Sequence, residues 1–173
     1  MRTRHAREVE ALAGLVTYPQ ADYAARLAAC RGVLAAADGT DGSLAAFASR
    51  VEGLTLEELQ ERFTGTFDLN PACTLDVGWH LFGEQYERGA FLVDMREMLR
   101  AHGIAESVEL PDHLPHLLTL LGRQDPARAA DLATRAIAPA LDRILAALEG
   151  QDNLFEPLLR AIAATVAQTR NPS

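Results

Sequence analysis

Apolar positions recur along the chain at intervals of three, four and seven, the spacing that gathers them on one side of a helix. Val9, Leu12 and Val16 form a first stripe, and Tyr18-Pro19 breaks it. An alanine-rich second helix is predicted over 20–37, a glycine- and aspartate-rich loop over 38–42, and a short helix over 43–52 that Gly53 ends. Thr55-Leu56-Glu57-Glu58 reads as a capping box, with Leu56, Leu59 and Phe63 as the buried stripe behind it. Asn70-Pro71 marks a turn. A short helix over 79–82 and a long one ending at His102-Gly103 follow, with Phe91, Met95 and Met98 sharing a face. Gly103 suits the left-handed residue that closes a helix. Residues 104–110 link onward. Asp125-Pro126 opens another helix, whose stripe of Ala133, Ile137, Leu141, Ile144 and Leu148 contains Pro139, so a kink or two abutting helices is expected. Leu158, Ile162 and Val166 stripe the last helix. The expectation is all-α: a helical bundle of eight or nine helices in a single domain spanning residues 1–173.

Composition agrees. Among 173 residues, alanine (31) and leucine (26) far outnumber isoleucine (4) and valine (8), which disfavours a sheet-rich fold. All 16 basic residues are arginine. The net charge of −8 lacks the basic footprint of a general nucleic-acid binder, so nucleic acid is not an expected partner. Cys30 and Cys73 form no CxxC pair, which argues against a zinc finger or disulfide framework and for a reducing compartment. Glu8 and Glu10 interrupt the basic N-terminus, so no signal peptide is read. No uncharged stretch is long enough to span a bilayer, so no direct membrane insertion is expected and the assignment is cytoplasmic.

The negative charge is local. Residues 52–112 hold 13 acids against four arginines, a net of −9, and the remainder nets +1. Such acids serve as solvated helix faces, or as a field that attracts a basic partner. The same stretch holds Phe67, Trp79, Phe82, Tyr86, Phe91, Met95 and Met98. These are core residues, or they line a groove for a basic amphipathic peptide.

Candidate chemistry is sparse. No GxGxxG, GxxxxGK[ST], HExxH or GxSxG motif occurs. Asp112, His113 and His116 would share a helix face and could hold a metal; alternatively Asp112 caps the helix that follows. Cys73 and His80 have no helical relation that suits a nucleophile and its base. Glu84 and Arg88 are spaced as an i, i+4 pair. Gly89 directly after Arg88 costs helix propensity, which points to close packing or to a peptide lying across it.

Taken in order, several motifs resemble a known family. Phe63-Thr64-Gly65-Thr66-Phe67-Asp68-Leu69 leads to Tyr86-Glu87-Arg88-Gly89, then to His102-Gly103, then to Glu109-Leu110-Pro111-Asp112-His113-Leu114-Pro115. This order resembles the nitrate reductase molybdenum-cofactor assembly chaperones, the NarJ-type (delta subunit) family. Departures such as Phe63 for tyrosine, and Asp76 and Trp79 where tyrosines are usual, bear on which client is served. The resemblance implies a non-catalytic chaperone without a cofactor. Its implied partner is the molybdenum-containing catalytic subunit of a nitrate reductase or a related dimethyl sulfoxide reductase-family enzyme, bound through that subunit's N-terminal tail. The expected surface joins Tyr86 and Arg88 to Glu109, Asp112, His113, Leu114 and Pro115. Trp79 and Phe82 would anchor the tail's apolar face, and Asp68, Glu84 and Asp112 would meet its arginines. The rival classes are a small metal-dependent enzyme using Asp112, His113 and His116, and a helical regulator that binds a ligand.

Overall fold

Three of the described α-helices, those that Thr3, Thr55 and Asp125 precede, start where that residue's side chain accepts an orphan amide of the first turn. A computed structural model describes residues 2–35 and 41–170 of the chain. Thr3 caps α1 (Arg4–Ala13), accepting the Ala6 N–H. Then come α2 (Tyr23–Leu34) and α3 (Asp41–Val51). Of the predicted loop over 38–42, residues 38–40 lie outside the described residues, as do 36 and 37 of the predicted second helix. Asp41 and Gly42 belong to α3.

The capping box at Thr55 and Glu58 forms in full and opens α4 (Leu56–Phe63). Its buried face is Leu59 and Phe63. Leu56, expected on that stripe, is 38% exposed, because the first turn stands clear of the core. A π-helical turn (Thr64–Asp68) continues α4 and swings Phe67 inward beside Phe63. A 3₁₀ turn (Pro71–Cys73) follows, capped by the Asn70 side chain.

Next are α5 (Val77–Phe82), α6 (Tyr86–Ala101) and α7 (Leu114–Leu121). Gly103, at φ +66°, closes α6 as expected. Asp125 caps α8 (Pro126–Leu132) through the Arg128 N–H. A π-helical turn (Ala133–Ile137) joins it to α9 (Ala138–Leu148). This turn resolves the Pro139 problem. Proline has no N–H to give, and the wider turn ahead of it carries the helix past the missing donor without a break, the Ala138 N–H donating to the Ala133 carbonyl. The chain closes with α10 (Glu156–Arg170). With α8 and α9 counted as one continuous rod, the described residues form nine helices and no strands. None is long and apolar enough to cross a membrane.

One connected core runs through the bundle. Phe47, Phe63, Phe67 and Phe155 stack at its centre, with ring centroids 4.8–5.8 Å apart in tilted and edge-on pairs. The leucines of α7 are buried on nearly every side, so α7 threads the interior against α1. Gly122 permits that approach: a Cβ there would lie 3.0 Å from Val9 Cγ2. Because α7 is central, the segment that leads into it is held firmly against its neighbours. That segment, 109–113, builds one wall of the site.

Candidate functional site

Two non-helical segments meet ahead of α5 and α7. The Leu114 N–H donates to the Leu75 carbonyl at 2.8 Å, and the Val77 N–H donates to the Asp112 carbonyl at 3.0 Å. This short antiparallel bridge pairs Asp76 with His113. Beneath it, the fully buried Asp112 carboxylate accepts the Gly78 N–H at 2.9 Å. Asp112 therefore caps α5 from a distant part of the chain, since Asp76, the residue preceding α5, makes no side-chain cap. Gly78 is required here: a Cβ would lie 2.7 Å from Asp112 Oδ2 and 3.0 Å from Phe91. The expectation that Asp112 caps the helix after it is overturned. His113 is the residue preceding α7 and makes no side-chain cap either, while Asp112 points back to α5.

Arg88, in the first turn of α6, reaches this junction. Its Nη2 is 3.5 Å from Asp112 Oδ2 and 3.7 Å from Asp76 Oδ2. Its guanidinium also lies 5.9 Å from the centre of the Trp79 ring, within cation–π range. The expected Glu84–Arg88 helix pair is replaced by these contacts, because Glu84 lies ahead of α6 and is exposed. Next to Arg88, Gly89 faces open space among the described residues, so close packing does not account for that glycine.

Around the junction lies a cleft of about 290 Å³. Asp68, Asp76 and Glu109 line it together with Trp79, Phe67, Arg88 and His113. His113 Nδ1 is 3.7 Å from Asp76 Oδ1 and 4.0 Å from Glu109 Oε2. His113 beside it, helped by Arg88, holds Asp76 below the ordinary carboxylate range against the pull of burial. Burial, reinforced by the Glu109 charge, pushes Asp68 up. Burial also raises Asp112, against the pull of Arg88. Three carboxylates on the cleft wall against one arginine and one histidine leave it an acceptor of cations.

The sequence-predicted residues divide clearly. Asp68, Trp79, Arg88, Glu109 and His113 line the cleft. Asp112 lies buried beneath it, and Leu114 and Pro115 belong to the core. Phe82 is half-buried against Phe91 outside the cleft wall, and Tyr86 is 91% exposed. Asp76, Thr74, Leu75 and Pro71 are cleft residues that the sequence reading did not select. The Asp112–His113–His116 set is not assembled as a metal site: Asp112 caps α5, and both His116 ring nitrogens bond to the preceding loop, to Leu110 O and Ser107 Oγ at 3.0 Å each. Nor do Cys73 and His80 form a nucleophile pair. His80 Nε2 bonds the Thr74 carbonyl at 2.7 Å, and burial pushes the Cys73 thiol up, away from the thiolate.

A family model, the nitrate reductase delta subunit, matches residues 32–161, and the chain belongs to that family. Named relatives agree. The nitrate reductase molybdenum cofactor assembly chaperone NarJ of Escherichia coli K12 is 32% identical over 108 residues, covering 60% of this chain and 45% of that protein. The matched stretch thus spans less than half of the E. coli protein's length. A probable chaperone of the same name in Bacillus subtilis is 24% identical over 159 residues, covering 90% of this chain and 86% of that protein.

Proposed function

We propose that this protein is a dedicated cytoplasmic assembly chaperone for a molybdoenzyme. In this reading it binds the N-terminal tail of the apo catalytic subunit of a nitrate reductase or related enzyme. It keeps that subunit competent for molybdenum cofactor insertion and performs no catalysis itself. The observation that carries the reading is the convergence of Asp68, Asp76 and Glu109 with the Trp79 ring in one cleft. The residues that follow its acidic walls in sequence are exposed and apolar: Leu69 is 75% and Leu110 43% exposed. A tail carrying arginines and apolar residues finds both kinds of partner in the cleft, the cations against the carboxylates and the apolar side chains against Trp79. The names of the E. coli and B. subtilis relatives support the same role. The test is the metal content of the client. Catalytic subunit purified from cells lacking this protein should contain far less molybdenum than subunit from cells that have it. Full loading in its absence contradicts the proposal.

A further inference from the structure

We infer that Asp76, Glu109 and His113 form a binding site for a divalent transition-metal ion of the Zn²⁺ type. One donor atom from each lies within 4.8 Å of the others. His113 Nδ1 is buried and has no hydrogen-bond partner among the described residues, yet it stands 3.7 Å and 4.0 Å from a carboxylate oxygen on either side. An unused imidazole nitrogen between two carboxylates is a donor set that Zn²⁺ takes. Ligand atoms around a tetrahedral zinc stand about 3.3 Å apart, so closing the set draws His113 Nδ1 and each carboxylate together by roughly half an ångström and the widest pair by up to about 1.5 Å, a movement that falls to the Glu109 side chain.

The backbone is prepared for this. The bridge between 75–77 and 112–114 fixes Asp76 against His113. Glu109, half-exposed on the linker before α7, retains the freedom to close on an ion. The cleft beyond has room for a fourth ligand. Asp68 on the cleft wall and Asp112 beneath it bring two further carboxyl groups to the site against the single Arg88, a surplus that suits a divalent ion. This set is distinct from Asp112, His113 and His116, whose first and last members are already engaged.

The ion would occupy carboxylates that the chaperone reading gives to the tail's cations, so Zn²⁺ and tail would exclude each other. That corollary rests on the chaperone reading; the metal site does not. The test is calorimetric titration of the full chain with Zn²⁺, with the visible absorption of Co²⁺ as a second probe of the donor set. The wild type should take up one ion. Glu109→Gln and His113→Gln should each weaken uptake at least tenfold and abolish the Co²⁺ signal of this site. If His113→Gln fails to fold, Glu109→Gln decides alone, since its side chain is half in solvent. Affinity weaker than about 1 mM, or wild-type affinity in Glu109→Gln, overturns the inference. Zn²⁺ binding without displacement of a tail peptide would overturn only the shared site, whereas absent uptake would leave the chaperone reading standing.

Discussion

The Asp112 carboxylate accepts the Gly78 backbone N–H at 2.9 Å across 34 positions of sequence. That one bond caps α5, ties it to the entry of α7 and places Trp79 one residue further on at the cleft. Removing the carboxylate leaves the Gly78 amide buried without a partner and Arg88 with only the more distant Asp76. Asp112→Ala is expected to cost about 2–4 kcal/mol in urea unfolding. Asp112→Asn keeps an acceptor oxygen and should lose less. An unchanged midpoint for Asp112→Ala would contradict the capping role.

Two glycines make opposite predictions. Gly78→Ala drives a methyl group against Asp112 Oδ2 and Phe91, and should destabilise the fold by about 1–3 kcal/mol. Gly89→Ala adds its methyl group in open space inside α6, and should be neutral or stabilise by up to about 1 kcal/mol. Denaturant melts of the two variants side by side check this. Equal effects would mean that the junction is looser than described.

Acid should destabilise the protein through two histidines. Burial pushes both His80 and His116 below the ordinary value of 6.5. The unfolded chain then binds these protons more readily than the folded one. The stability from their neutral forms is complete above that value and falls as pH drops through it toward the folded pKa values. Asp112, raised by burial, works in the opposite sense in wild type and variant alike. Thermal melts at about pH 7.5 and 5.5 should show a smaller acid loss in His80→Gln/His116→Gln than in wild type. An equal loss would assign the effect to other groups.

The aromatic residues separate site from surface. Trp79 lines the cleft and stacks with Arg88, so Trp79→Ala should weaken binding of a client tail at least tenfold. Tyr86 stands away from the cleft wall, and Tyr86→Ala should leave both stability and tail affinity near wild type. A large loss at Tyr86 with none at Trp79 would move the docking surface onto the outer face of α6.

Much of the fold was legible because its causes are local. The capping box at Thr55, the Asp125-Pro126 start, the Gly103 stop and the stripe of Leu158, Ile162 and Val166 each depend on neighbours within a turn or two. Five of the eleven site residues also fall on the cleft, because acids and aromatics are concentrated in one stretch. The role of Asp112 was not legible. A cap is normally read from the helix that follows its residue, and here the capped helix lies 34 positions upstream. Asp76 was missed for the same reason: only the backbone bridge to His113 brings it into the site. Leu56 misled because helical period says which residues share a face, not where along the helix the core ends.

The central claim is that the acidic cleft receives the client's basic tail. Its most direct test is calorimetric titration of a synthetic N-terminal tail peptide of the client's catalytic subunit into the wild type and into Asp68→Asn/Glu109→Gln. Both side chains lie on the cleft wall and carry no backbone hydrogen bond among the described residues, so the helical circular-dichroism signal should be preserved. The double variant should bind at least tenfold more weakly, and wild-type binding should itself weaken as salt rises from about 0.05 to 0.5 M. Wild-type affinity in the correctly folded double variant would contradict the account.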